Sequence, residues 1–336
     1  MKAIYLEKEK VFSEKELPQP VCGEHQVIVK MKAVGICGSD VHYWQKGRIG
    51  NFIVKEPMIL GHECSGQITE VGSAVTKFSV GDRVVLEPGI PCMECELCKK
   101  GRYNMCQNIV FFATPPDDGV LVESIAYNEN YVFKIPDEID DYGLATMAEP
   151  LSVGLFATQR LKPAFGEKCI VFGAGLIGIT CMLAARYMGC KYVAVADIRD
   201  DRLEWAKKLG ADEVINTMNQ TIEPNTFDIG YDATGADPCY QAAVSCIKPG
   251  GRIAFVGMAP EMSTLPVVDY VCKEISIIPS FRYGNTYPGV LDLLVEYKEG
   301  LQQLITHRVP FTFDDVERGF NIALSDPTAV KVVIDF

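Results

Sequence analysis

The stretch from Lys168 to Asp197 constrains the fold more than any other. Lys168-Cys-Ile-Val-Phe172 reads as a buried strand, Gly173-Ala-Gly175-Leu-Ile-Gly178 as a tight turn, and the apolar run behind it as a helix to about Met188. Tyr192-Val-Ala-Val-Ala196 is a second strand, and it ends on Asp197. Three spaced glycines alone are a weak signal. Between a strand and a helix, with an acidic residue closing the next strand, they form a dinucleotide-binding turn. Glycine lets the backbone approach a pyrophosphate, and the helix N-terminus favours its charge. Asp197 is placed to accept hydrogen bonds from ribose hydroxyls and to repel a 2′-phosphate, so the expected cofactor is NAD. Arg199, two residues on, is the neighbour that could pair with such a phosphate. The run Cys169–Gly189 is apolar enough to raise the question of a membrane span. Gly173, Gly175, Gly178 and Arg186 interrupt it, and neither a second span nor a basic flank accompanies it, so no membrane partner is expected.

The alternation continues downstream. Asp201–Leu209 reads as a helix stopped by Gly210, Phe227–Asp232 as a strand, the segment after Pro238 as a helix, and Arg252–Val256 as a strand entered through Pro249-Gly-Gly. Repeated strand–helix units predict a doubly wound parallel sheet. Upstream the pattern is different. Ala3–Leu6, Val27–Val34, Gln67–Val71 and Asp82–Leu86 read as short strands separated by proline and glycine turns, which predicts a β-rich, barrel-like region. Composition changes at Glu149-Pro150. Beyond residue 280 the alternation stops, helices are expected over Gly289–Glu299 and Asp314–Leu324, and the final strand Lys331–Phe336 has the character of the N-terminal ones. The expected architecture is therefore α/β with two domains: residues 1–150 with 284–336 β-rich, and residues 151–283 doubly wound.

Two groups of residues carry metal chemistry. Cys37-Gly-Ser-Asp40 and Gly61-His62-Glu63 supply a thiolate, an imidazole and a carboxylate, all ligand types that zinc accepts. Such a set leaves room for water or substrate, as a catalytic metal requires. Cys92-x-x-Cys95-x-x-Cys98, followed by Cys106, can instead surround a zinc ion completely, as a structural staple. The 13 cysteines are an odd number, and the early charges of Met1–Lys10 do not read as a secretory leader. A disulfide framework is thus not expected; eight cysteines outside these groups read as small core residues, and the expected location is cytoplasmic. A net charge of −12 argues against nucleic acid as a partner. His42 reads as a packed loop histidine; His25 and His307 receive no role.

Longer motifs carry a resemblance. Gly35-Ile-Cys-Gly-Ser-Asp-Val-His-Tyr-Trp44, Gly47-Arg-Ile-Gly-Asn-Phe-Ile-Val54, Leu60-Gly-His-Glu63, Phe112-Ala-Thr-Pro-Pro-Asp-Asp-Gly119, Glu149-Pro-Leu-Ser-Val153 and Phe281-Arg-Tyr-Gly-Asn-Thr286 resemble the zinc-containing medium-chain dehydrogenase/reductase superfamily, and within it the polyol (sorbitol or xylitol) dehydrogenases. The resemblance implies a GroES-like catalytic domain, a Rossmann domain and two zinc ions per chain, one catalytic and one structural. It implies Cys37 and His62 as catalytic zinc ligands, with Glu63 or Glu149 as the carboxylate that completes the site. Ser39 and Glu149 are implied in proton transfer. Tyr43, Phe111, Thr114, Glu149, Arg282 and Tyr283 are implied on the substrate side. Gly173, Gly175, Ile177, Gly178, Asp197, Arg202, Val256, Gly257, Met258, Phe281 and Arg282 are implied at the cofactor. Animal sorbitol dehydrogenases lack the four-cysteine lobe that this chain has. Relatives are commonly tetramers, so a homo-oligomer, tetramer or dimer, is expected.

The expected reaction passes a hydride from a secondary hydroxyl of a polyol to NAD and yields a ketose. A polyol offers many hydroxyls and little apolar surface, so Arg, Tyr, Ser and Glu suit its recognition. The alternatives are a zinc enzyme of the same superfamily acting on a sugar-alcohol phosphate, L-threonine or a secondary alcohol, a zinc-free quinone reductase, and a non-catalytic NAD-sensing scaffold. The complete ligand set argues against the last two.

Overall fold

The computed structural model describes residues 1–258 and 262–336, which divide into two compact units: Met1–Glu149 with Leu294–Phe336, and Pro150–Leu293. The second unit runs to Leu293 rather than 283. The turn of helix that opens at Tyr287 buries Tyr287, Val290 and Leu293, so the chain leaves only after that apolar face has been covered.

The first unit is built on a seven-stranded sheet. Its path runs Val132–Lys134, Arg83–Leu86, Glu63–Val71, Gln26–Ile36, Lys331–Asp335 and Ile305–Pro310, with Ser124–Asn128 also pairing with Gln26–Ile36. The central strand Gln26–Ile36 is buried along most of its length, as its Val, Ile and Met content demands. The last strand of the chain thus sits directly beside it, antiparallel, with Val332 opposite Ile36 and Val333 opposite Gly35. Immediately after Ile36 the chain turns into the helix Gly38–Lys46, which ends on Gly47 in the left-handed region (φ 64°). Sequence patterning did not signal this helix, because its short apolar face is carried by Val41, Tyr43 and Trp44. Trp44 stacks on Phe12 (6.3 Å) and tilts against Phe320 (5.8 Å), while Phe12 meets Phe320 edge-on (5.0 Å). Aromatic contacts of this kind are worth about 0.5–1.5 kcal/mol each beyond burial. They anchor the helix whose N-cap is Cys37.

The second unit is a six-stranded, all-parallel sheet in the order Glu213–Asn216, Tyr192–Asp197, Lys168–Phe172, Phe227–Asp232, Ile247–Phe255, Ser276–Pro279. In chain order this is 3-2-1-4-5-6, the doubly wound arrangement. Cys169, Ile170 and Val171 are fully buried, and the following helix, Leu176–Tyr187, buries Gly178 through Ala185. The apolar run that resembled a membrane span is therefore a core strand and a core helix. Among the described residues no helix is long and apolar enough to cross a membrane.

Two expected elements differ. The helix expected over Gly289–Glu299 is two helices, Tyr287–Glu296 and Lys298–Leu304, parted at Tyr297, whose backbone (φ −107°, ψ 15°) leaves the helical region. The strand expected to start at Arg252 starts at Ile247, with its register shifting beside Phe227–Ile229 as the Pro249-Gly-Gly segment passes.

Candidate active site

The dinucleotide turn has the geometry its glycines require. Gly173 takes φ +96°, and its N–H donates to Ala196 O (2.8 Å). A side chain at Gly178 would collide with Gly173 O, so only glycine lets the helix come this close to the strand. A Cβ at Gly175 would meet nothing within 4 Å, and no side chain caps the helix that starts there. The first-turn N–H groups therefore remain open to an anion. Asp197 accepts from Ala174 N (2.7 Å) and Arg199 N (2.9 Å), which locks its carboxylate at the strand end. The Arg199 guanidinium is held by both oxygens of Asp201 (3.0 and 2.5 Å). Ile177, Arg202, Val256 and Gly257 are half-buried, and Met258 and Phe281 are exposed. Asp232, fully buried at the end of the neighbouring strand, was not singled out by motif. Its oxygens accept from Thr234 N (3.0 Å), Thr234 Oγ1 (2.6 Å) and Gly235 N (3.0 Å), shaping the loop against which Gly257 packs.

Arg282 and Asn285 take positive φ (52° and 58°), so the Phe281–Thr286 segment is tightly bent. Arg282 lies over the Phe281 ring (5.0 Å), whereas Tyr283 is buried, 6.1 Å from the ring of Tyr287.

In the first unit the four cysteines come together. The sulfurs of Cys92, Cys95, Cys98 and Cys106 lie within 4.8 Å of one another. Backbone amides point at them: Cys95 N donates to Cys92 Sγ (3.4 Å), Cys98 N to Cys95 Sγ (3.5 Å) and Cys92 N to Cys106 Sγ (3.4 Å). Amides from Glu94 and Cys95 hold the Cys92 thiol down at about 6. Four converging sulfurs with amides aimed at them suit a closed zinc site. Glu87, beneath the lobe, is buried and accepts from Tyr103 Oη (2.6 Å); burial lifts its carboxyl to about 7.

The donor atoms of Cys37, His62 and Glu63 form a second cluster within 4.8 Å, and Glu149, also buried, is outside it. Asp40 organises this cluster. It is the third helical residue after the Cys37 cap; one oxygen accepts from Cys37 N (3.0 Å), and the other accepts from Gly61 N (3.0 Å) and faces His62 Nδ1 (3.3 Å). With Nδ1–H on Asp40, Nε2 is left as the donor atom for a metal. Burial presses the His62 imidazolium down, but the Asp40 carboxylate and Cys37 outweigh it and hold its pKa well above the ordinary range. Lys331 was likewise unsignalled: it is buried and forms an ion pair with Glu63. Phe111 is buried with its ring 6.4 Å from the His62 ring, Thr114 and Ser39 are half-buried, and Tyr43 belongs to the hydrophobic core. His42 is largely exposed. A soft thiolate, an oriented imidazole and a carboxylate fit zinc with a coordination position to spare.

Comparison with known proteins agrees with this geometry. Residues 23–137 match the alcohol dehydrogenase GroES-like domain, and residues 177–296 match the zinc-binding dehydrogenase domain. Sorbitol dehydrogenase of Gallus gallus is 40% identical over 329 residues, 93% of this chain and 92% of that protein. L-idonate 5-dehydrogenase of Vitis vinifera is 39% identical over 328 residues, 94% of this chain and 89% of that protein. Among solved structures, a dehydrogenase of Escherichia coli CFT073 complexed with NADH is 31% identical and superposes with a TM-score of 0.88 over 100% of this chain and 99% of that one. Galactitol-1-phosphate dehydrogenase of Escherichia coli superposes equally well (0.88, 27% identical, 100% of both chains). The chain belongs to the zinc-containing medium-chain alcohol dehydrogenase family, with a GroES-like and a Rossmann domain. It is an oxidoreductase that uses zinc and a nicotinamide dinucleotide.

Proposed function

We propose that this enzyme oxidises a secondary hydroxyl of an unphosphorylated polyol, of the sorbitol or xylitol kind, to the ketose with NAD. The observation that carries the reading is the three-donor cluster of Cys37, His62 and Glu63 on a chain about 40% identical to sorbitol dehydrogenases. These three residues would hold the catalytic zinc, and Cys92, Cys95, Cys98 and Cys106 the structural one. Zinc, when bound, acts as a Lewis acid toward a hydroxyl oxygen. Asp40 keeps His62 in the ligating tautomer. The hydroxyl proton leaves through water near Glu149 and Ser39. Phe111, beside His62, limits water at the metal donors. Tyr43, Thr114, Arg282 and Tyr283 are assigned to the polyol hydroxyls.

Gly173, Gly175, Ile177, Gly178, Asp197, Arg202, Val256, Gly257, Met258, Phe281 and Arg282 are assigned to the cofactor. Arg199, the group that could have favoured a 2′-phosphate, is engaged by Asp201, which supports NAD over NADP. We assign the catalytic role to the first compact unit and NAD binding to the second. A cytoplasmic homo-oligomer completes the reading. Its support is the edge strand Ser276–Pro279, with Ile277 on it and exposed Val267, Val268 and Val271 beside it, because an uncovered apolar sheet edge invites pairing with a second copy.

NADH formation by zinc-loaded protein tests the proposal, with sorbitol, xylitol, a sugar-alcohol phosphate, threonine and 2-butanol, each with NAD and NADP. Selective turnover of a free polyol with NAD is expected. Turnover confined to the phosphate, threonine or 2-butanol would overturn the substrate assignment and leave the zinc assignment standing.

A further inference from the structure

Lys331 lies 268 residues from Glu63 in sequence, yet the two form a buried ion pair, with side-chain exposures of 2% and 1%. The sheet explains how they meet. Glu63 and Lys331 belong to the two strands that flank Gln26–Ile36. Gly35 is opposite Glu63 on one side and opposite Val333 on the other. Lys331 is two residues before Val333, so it shares a face with Glu63. Strands two apart are separated by about 10 Å, and the side chain of the middle strand ordinarily fills the gap. Gly35 has none, and a Cβ there would collide with Glu63 Oε2. The two long side chains therefore join over the glycine, and Nζ also donates to Ile36 O (3.1 Å), one residue before Cys37.

Stability alone gives this pair little reason to exist, since well-packed apolar residues of equal volume usually serve as well as a buried ion pair. Its location beside a metal ligand gives it another. Lys331 binds Oε2 of Glu63, and the same carboxylate supplies the donor that clusters with Cys37 and His62.

Resting on the zinc reading above, we infer that Lys331 is a positioning residue for the metal-binding carboxylate: by holding one oxygen of Glu63 it restricts that residue to single-oxygen ligation and keeps the remaining coordination position open. The same ammonium offsets the charge of the Glu63 carboxylate, so a divalent ion there attracts negative charge developing on a substrate oxygen more strongly than it would beside an uncompensated carboxylate.

Cobalt(II) in place of zinc makes the inference testable without turnover. The Cys37 site is read as the difference between wild type and Cys37→Ser, which removes the contribution of the four-cysteine lobe. Lys331→Met is expected to shift the d–d bands of that difference spectrum and to weaken chelator-measured affinity at the site by about 10–100-fold. In a Glu63→Gln background, Lys331→Met should change the affinity less than about twofold, since the carboxylate it positions is gone. An unchanged spectrum and affinity in Lys331→Met, or an equal loss with and without Glu63, overturns the inference. Should Lys331→Met fail to fold, Lys331→Gln replaces it under the same criteria, and the neutral Glu63→Gln/Lys331→Met pair remains for the background arm. If wild type and Cys37→Ser bind cobalt identically, the zinc reading itself fails. A cobalt difference that is normal but insensitive to Lys331 overturns only the positioning role.

Discussion

The two donor clusters of the first unit are assembled in opposite ways. The cysteine lobe is local: all four sulfurs come from Cys92–Cys106, and the groups that tune them are amides of the same loop. The Cys37 cluster is non-local. Its ligands come from a helix cap and from the start of a strand, His62 is oriented by Asp40, and Glu63 is held by a lysine from the last strand of the chain. A loop can shape itself around a metal that needs only to be enclosed. A metal that must keep a position open needs ligands fixed by a rigid frame, because a mobile carboxylate would fill that position.

This contrast can be broken from either side. The largest effect is expected from Cys37→Ser or His62→Ala, which should abolish turnover while NADH binding, followed by fluorescence titration, survives and the lobe keeps its metal. Normal turnover in either variant would refute the assignment. Next comes Cys98→Ser, a buried lobe position: one metal equivalent should be lost and the melting temperature should fall, with the Cys37 site still able to bind metal. If that variant loses activity with no loss of stability, the lobe is more than a staple. Gly35→Ala sharpens the comparison, because the added Cβ displaces the Glu63 carboxylate while every donor residue is retained. Activity and metal affinity at the Cys37 site should fall by about 10–100-fold, with the lobe unaffected.

The smallest effect concerns Glu87 under the lobe. Its carboxyl is raised by burial to about 7 from the ordinary 4.5, so the folded state holds more protons than the unfolded state between those values. Stability is then lost as pH rises from about 4.5 to 7 and is level above, a difference of roughly 3 kcal/mol at most. Glu87→Gln keeps an acceptor for Tyr103 Oη and removes the charge. It should raise the melting temperature at pH 8 relative to wild type and flatten the dependence between pH 5 and 7. A steeper dependence in the variant would contradict the burial argument.

What could be read from the chain follows the same division. The four cysteines were legible because they are close in sequence, and the glycine turn and Asp197 because they hold fixed places in one strand–turn–helix–strand unit. Asp40 stands in the Cys37-Gly-Ser-Asp40 motif, where an acidic residue three after a helix cap is a capping signal. The signal is faint because the helix itself, with a short apolar face of Val41, Tyr43 and Trp44, has too little periodicity to announce it. Tyr43 is buried in the core cluster and Tyr283 lies buried beside Tyr287; that burial comes from the fold and is not legible in the motifs. Lys331 opens a short strand ahead of the apolar run Val332-Val-Ile334, and at that end position it is indistinguishable in sequence from a solvent-facing lysine.

The sequence by itself determined the doubly wound sheet, the two kinds of metal donor set and the acidic end of the second strand, because strand–helix alternation, ligand chemistry and short spacings are properties of contiguous residues. Only the tertiary structure decided that donor atoms of Cys37, His62 and Glu63 converge within 4.8 Å and that Lys331 meets Glu63 over Gly35. Those outcomes depend on strand register and on one missing side chain in a middle strand, and register joins residues that are hundreds of positions apart.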